Sequence, residues 1–425
     1  MKLTTTTALA LGAMIAASPA VAQAGYGSMA PQQPQQQTRQ STETAPPPAQ
    51  AQKSVTPSKN ALKAIVDLQT TVNNNDFANI PAKVAAAQAV ATTKEDHYLI
   101  GQLQLKGALA AKDNAGLRSA IDAIAASGYA SGADVGQLYL ALGSTYYNNK
   151  QFDDAASAFQ RGIAADPNNV DILLNLAETR VSQDQKEQAV AIFQQAIQKR
   201  LAAGQKPEET LYKRALGIAY DARLPVAAEL GRAWAAAYPS PESWRNSIAI
   251  YRNLNRPDVE GTLDLLRLME VTNSLQRTGD YQLFITSAAE QGNYNEANKA
   301  LEEGIAAKII DPSSADFRDI VSGLKTKPKA TAADLVVAAS SAQSSGVLLH
   351  IGDRYYAMGN YAKAVELYRT AMTKPGADVA EANLHIGIAL ARSGDKAGAT
   401  AAFNAVTGAR AEIAKFWLAY VNQQA

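Results

Sequence analysis

The sequence predicts an all-α fold, an α-solenoid of stacked helical hairpins behind an export segment and a linker. Three observations lead there. From Ser58 onward Ala, Leu, Ile and Tyr recur at helical spacing, and alternating β-branched runs are scarce. Gly, Pro and Asn-rich breaks interrupt that pattern about once per helix length. Small and aromatic residues then return at fixed distances. Gly143 and Ala177, Ala155 and Ala189, Phe159 and Phe193, and Gly162 and Ala196 are each 34 residues apart. Gly352 and Gly387, Gly359 and Gly394, Ala364 and Ala399, and Tyr368 and Phe403 are each 35 apart. Such a period marks an array in which each hairpin buries its face against the next.

Taken in order, residues 1–24 read as a secretory signal peptide. Lys2 supplies the positive end, Ala8 to Ala17 (ALALGAMIAA) the apolar core, and Ala20-Val21-Ala22 or Ala22-Gln23-Ala24 the cleavage site. That apolar run is about half of the ~20 residues a membrane-spanning helix needs. Residues 25–57 are rich in Gln, Pro, Ser and Thr, with too little apolar surface to offset chain entropy, and are expected to be a disordered linker. Degenerate helical hairpins follow over 58–135, and clear repeats over 136–240. The segment 241–277 loses the repeat signature. There Pro241 sits in the first turn of a helix carrying Trp244, Ile248 and Tyr251, and Pro257 opens another with Leu263, Leu266 and Met269. Its arginines, Arg245, Arg252, Arg256 and Arg267, read either as a solvated face or as a recognition surface. Repeats resume over 278–408, where Tyr281, Phe284, Gly292, Tyr294, Ala297, Leu301 and Gly304 keep the spacing. The end, 409–425, carries the amphipathic stretch AEIAKFWLAYV, expected as a capping helix, with a partner-binding helix as the alternative.

These positions resemble the tetratricopeptide repeat. Tyr139, Leu142, Gly143 and Tyr146 follow the pattern of its first helix, and Ala155, Phe159, Gly162 and the closing Pro167 that of its second. The next unit keeps Leu173, Leu176, Ala177, Ala189, Phe193 and Ala196 but has Arg180 at the tyrosine position and Leu201 at the proline. A further unit has Leu348, Ile351, Gly352, Tyr355, Ala364, Tyr368 and Ala371, with Gly387, Ala399 and Phe403 in the one after it. The physical reasons are simple. Gly143 and Ala155 allow two helices to approach, Tyr146 and Phe159 fill the space between hairpins, and Pro167 stops the second helix. Glycine in a helix interior costs about 1 kcal/mol against alanine, so close packing has to offset it. The resemblance implies a right-handed superhelix of the exported bacterial type and a concave groove lined by first-helix side chains. It would place Tyr147, Asn148, Glu178, Arg214, Asp221, Asp353, Tyr356 and Arg392 in that groove.

The chemistry of the chain points the same way. It has no cysteine, which removes disulfides, thiolate metal sites and thiol nucleophiles. Lys+Arg 40 against Asp+Glu 39 gives a net charge of +1, which calls for neither nucleic acid nor an anionic membrane surface. No nucleophile elbow, zinc helix or phosphate loop is present, so no catalytic residue, cofactor or metal is expected. His97 follows Asp96 but has no second ligand. His350 and His385 share one register, 35 residues apart, and read as two equivalent surface or inter-helix histidines rather than a paired site. The basic run Lys199, Arg200, Lys206, Lys213 and Arg214 is offset by Glu208 and Glu209. Arg161 reads as a solvated charge.

The expected role is a non-enzymatic periplasmic scaffold that holds a protein or peptide segment. An accessory role in envelope polysaccharide or peptidoglycan assembly is the alternative, and it requires aromatic side chains exposed along the groove. No membrane-integral segment is expected after signal cleavage.

Overall fold

The structure is a computed structural model that describes residues 55–424. The predicted signal peptide and all but the last three residues of the linker lie outside the described residues. Among those residues are twenty-one α-helices and no strand. The chain divides into two compact units, one ending at Thr179 and the other beginning at Arg180.

The first unit holds α1 (Leu62–Asn73), α2 (Ile80–Val90), α3 (Lys94–Ala111), α4 (Asn114–Ser127), α5 (Gly132–Asn148), α6 (Phe152–Ala165) and most of α7 (Val170–Ser182). Its N-terminal end is fixed by Asp96, fully buried at the start of α3. The Asp96 carboxylate accepts from the Thr92 and Thr93 amides and from the Ser58 amide and hydroxyl. Burial opposes the charge, but these donors, the Thr92 and Ser58 amides foremost, bring its pKa down to about 2. Asp96 is the N3 member of a capping box with Thr93, and His97 beside it is exposed.

The second unit holds α8 (Lys186–Ala202), α9 (Glu209–Asp221), α10 (Ala227–Ala237), α11 (Pro241–Asn255), α12 (Val259–Val271), α13 (Thr278–Glu290) and α14 (Tyr294–Ala306). It continues with α15 (Ala315–Lys325), α16 (Ala332–Ser341), α17 (Ser345–Ala357), α18 (Tyr361–Ala371), α19 (Val379–Ser393), α20 (Lys396–Asn404) and α21 (Ala411–Gln423).

One turn closes most hairpins. The amide three residues past the helix end bonds a carbonyl five residues back, as in Gln151 to Tyr146, Leu224 to Ala219, Asn293 to Ala288 and Asn360 to Tyr355. The residue before that amide is left-handed, at φ of 61° for Lys150, 54° for Arg223 and 67° for Gly292. The α11–α12 turn differs. Arg256 is left-handed at 45°, but Pro257 follows it and has no amide to give. Asp258 instead caps α12, accepting from the Gly261 amide at 2.8 Å, so the helix begins two residues later than Pro257 suggested.

Repeat glycines make room for rings. A Cβ on Gly143 would lie 2.5 Å from Phe159, and one on Gly387 2.5 Å from Phe403. The close partner of Gly143 is therefore the second-helix aromatic. Gly352 stands in the same relation to Tyr368, which is fully buried and held through its hydroxyl by Asp353 at 2.7 Å. Gly352→Ala is therefore expected to lower stability by about 1–3 kcal/mol, since overpacking outweighs the gain in helix propensity. Gly217, with open space where its Cβ would be, is expected to gain up to ~1 kcal/mol on the same change. Urea denaturation of the two variants reads both signs. A destabilisation at Gly217 matching that at Gly352 would sink the argument from space.

α21 covers the last hairpin as a cap does, but it reaches further. Trp417 and Phe416 are fully buried. The Trp417 indole N–H donates to the Asp264 carbonyl of α12 at 3.1 Å, and Gln423 Nε2 donates to the Ala235 carbonyl of α10 at 2.9 Å. Arg232 of α10 pairs with Glu412 at 2.7 Å. An end cap touches only its neighbour; this helix ties the end of the unit to helices more than 150 residues earlier.

Candidate functional site

The predicted groove residues part company. Asn148, Arg214 and Asp221 are exposed. Tyr147 is half-buried against Phe152, with ring centroids 5.5 Å apart, and Glu178 is half-buried. Arg392 is also half-buried, with Nε donating to the Tyr361 hydroxyl at 3.2 Å and Nη2 3.6 Å from Glu270. Asp353 and Tyr356 are buried, so neither lines an open groove. The cause is local. In the second unit α12, α14, α17 and α19 converge, and side chains that an open array would show to solvent face one another.

What they build is a charged centre inside an apolar core. Arg267 of α12 is fully buried, not on a solvated face. Its Nε and Nη2 donate to the two Glu296 oxygens, each at 2.8 Å, and Nη1 donates to Asp264 at 3.0 Å. Its Nη2 also lies 3.9 Å from Asp353. The guanidinium sits 4.9 Å from the centre of the Tyr356 ring. Asn293 donates to Glu296 at 2.7 Å. His385 of α19 lies between two carboxylates, with Nδ1 3.1 Å from Asp353 and Nε2 3.3 Å from Asp264. These are ionic contacts; neither N–H is in line as a hydrogen bond.

The charges explain one another. Three carboxylates face Arg267, and a neutral histidine would leave the centre two negative charges in excess. Burial opposes a proton on His385, yet attraction to Asp353 and Asp264 overcomes it and holds the pKa well above the ordinary imidazole value. An imidazolium has two N–H groups, one toward each carboxylate; neutral imidazole has one. For Asp353 and Asp264 burial works against the charged form, but His385 and Arg267 outweigh it and both stay below the usual carboxylate range. Burial raises Glu296, with Arg267 pulling the other way.

The two register-related histidines are thus not equivalent. His385 is buried in this centre, whereas His350 is half-buried outside it. Arg161 is not free either. It bridges α6 to α4 through Asp122, which also accepts from the Tyr139 hydroxyl at 2.6 Å. The basic run is spent on its surroundings: Arg200 on Glu208 at 3.5 Å, Lys213 on Glu209 at 3.0 Å, and Lys206 over the Tyr238 ring at 3.8 Å.

A second feature lies at the surface of the same unit. The α9–α10 and α11–α12 turns enclose an open cleft of about 760 Å³, lined by Tyr220, Asp221, Arg223, Arg252, Leu254 and Arg256 among others. Asp221 alone of the predicted groove residues lines it. Aromatic exposure is low: among the described residues every Trp is buried, every Tyr is buried or half-buried, and Phe77 is the exposed aromatic. No helix among them is long and apolar enough to cross a membrane.

Profiles described as tetratricopeptide repeat match residues 105–170, 146–202 and 349–412. Over these residues the chain carries tetratricopeptide repeats. No curated protein matches it. Among solved structures, it is similar to a Naa15/Naa10 complex bound to HypK-THB, at 12% identity and TM-score 0.34 over 81% of this chain and 63% of that one. The chain thus spans less than two thirds of that relative. A tetratricopeptide repeat protein from Parabacteroides merdae gives 14% identity and TM-score 0.24 over 76% and 99% of the two chains. The P58(IPK) TPR domain gives 11% and 0.24 over 85% and 97%. As in other tetratricopeptide repeat proteins, the array is a scaffold for protein–protein contact, and such repeats are generally not catalytic.

Proposed function

We propose that this tetratricopeptide repeat protein is an exported scaffold of a Gram-negative periplasm that holds a segment of a partner protein on its helical surface. The observation that carries the reading is the division of its charged groups. The buried ones are consumed by one another in the second unit, while Asn148 at the end of α5 and Arg214 and Asp221 of α9 stand exposed. A polar side chain exposed on a rigid helix is accessible to a partner. The leader read in residues 1–24 supports export, and the envelope supports a role beside cell-wall machinery only in so far as its partner belongs to it.

The test is photo-crosslinking in living cells from Asn148 and from Arg214, with the chain expressed at native level. The expected result is a mature chain beginning at Gln23 or Gly25 in the periplasmic fraction, and one protein adduct that recurs from both positions. An unprocessed chain in the cytoplasm would overturn the export. Adducts that differ at random between repeats would overturn the scaffold.

A further inference from the structure

The cleft between the α9–α10 and α11–α12 turns carries three arginines against one aspartate, Asp221. Arg223 and Arg256 hold the left-handed position of successive turns, so the stacking of one hairpin on the next brings them to the same cleft. Arg252, from the last turn of α11, completes the set. Among the described residues no carboxylate pairs with any of the three side chains. Asp221 is the acid within the cleft, and Asp280 is the carboxylate acting on Arg252 from α13. Asp280 is already committed: both its oxygens accept from Arg245, at 2.8 and 3.2 Å, and it also accepts the Gln276 and Arg277 amides.

Arg252 is the informative member. It is half-buried, and burial disfavours its charge, with Asp280 only partly compensating. Three other half-buried arginines of this unit have anions within reach: Arg232 has Glu412, Arg245 has Asp280 and Arg410 has Glu381. A partly desolvated guanidinium without one is an incomplete arrangement, and a carboxylate presented to its planar fork would complete it. The rest of the lining fits a chain more than a lone anion. Leu254 and Pro225 offer apolar contact, and Asn253, which donates to the Tyr220 hydroxyl at 3.2 Å, and Asn255 offer amide groups for a backbone. No residue of α21 lines this cleft; α21 packs on α10, α12, α19 and α20 and meets α11 at Tyr251, whose ring centre lies 5.5 Å from that of Phe416.

We propose that this cleft binds an acidic peptide segment of a partner protein, with Arg223, Arg252 and Arg256 as the carboxylate-binding residues. The assignment rests on the scaffold reading and gives the partner its chemistry. The test is fluorescence anisotropy of the full chain with a fluorescein-labelled glutamate-rich peptide and its glutamine-substituted twin. Saturable binding of the acidic peptide alone is expected, weakening at least ~10-fold in Arg252→Ala and in the doubly exposed variant Arg223→Gln/Arg256→Gln. Affinity should fall with added salt. Arg318→Ala, on the exposed face of α15, should bind as the parent does, and thermal melts of all variants separate lost binding from lost fold.

Equal binding by the parent and both cleft variants would overturn the proposal, as would no binding by the parent. Displacement of the peptide by inorganic phosphate at the peptide's own concentration would also overturn it, since the site would then hold a small anion. In the crosslinking experiment, a partner captured equally by Arg252→Ala leaves the scaffold standing and removes this cleft from it. No capture by either removes the scaffold itself.

Discussion

Replacing Arg267 by methionine is expected to lower the stability of the second unit by about 3–5 kcal/mol, the range found when one partner of a buried ion pair is removed. The volume of the side chain is nearly kept, so the loss does not come from a cavity. It comes from charge. Glu296 loses two of its donors, Asp264 loses one, and Asp353 keeps only His385 as a nearby cation. The three carboxyl groups sit on α12, α14 and α17, so their repulsion pushes apart helices that otherwise hold the core together. Arg267→Lys should fail in nearly the same degree, because an ammonium cannot span both Glu296 oxygens while reaching Asp264. Chemical denaturation followed by circular dichroism reads the change. A loss below ~1 kcal/mol for the methionine variant would mean that the centre is open to water and that its charges are screened as surface pairs are.

That centre was out of reach of sequence reasoning, although the array around it was not. The 34- and 35-residue recurrences gave the hairpins because each one depends on neighbours in sequence. The end of α6 just before Pro167 was legible, whereas Gly143, expected to make room for the approach of Ala155, makes it for the ring of Phe159. The meeting of α12 with α19 follows from curvature accumulated over seven helices, which no single repeat encodes. Arg267 was ambiguous for a further reason. α12 buries Leu263, Leu265, Leu266, Leu268 and Met269, so it has no polar face on which an arginine could be placed in solvent. One signal was present and was not used. Tyr368 stands where Phe159, Phe193 and Phe403 occupy the same repeat position, and a hydroxyl there needs a buried acceptor, which is Asp353. His350 and His385 share a register but not an environment, since only α19 meets α12. Of the cleft arginines, Arg252 and Arg256 stood out in the sequence as part of an arginine-rich segment; Arg223 did not, and their meeting in one cleft was not visible.

Stability is expected to fall as pH rises above about 6.5, the ordinary histidine value, and His385 is the residue responsible. Its folded pKa is raised, so the native state keeps a proton that the unfolded chain has begun to release. The stabilisation is fully present below the unfolded pKa and is lost as pH climbs through the folded one, at up to about 1.4 kcal/mol per pH unit. On the acid side the sign reverses. Asp264 and Asp353 are depressed, so their contribution is present above about 3.9 and is lost as pH falls toward their folded values. Glu381, half-buried on the same helix and raised by burial against the pull of His385 and Arg410, contributes an alkaline-going loss of its own that begins lower, near 4.5. The comparison that isolates the histidine is therefore between the parent and His385→Gln across pH 6.5 to 9. The variant should be less stable throughout, because three carboxylates then face Arg267 without a second cation, and its stability should no longer decline over that window. A parallel decline in both proteins would assign the effect to another group. A rise in the parent would show that the buried imidazole is neutral and that the two carboxylates share Arg267 alone.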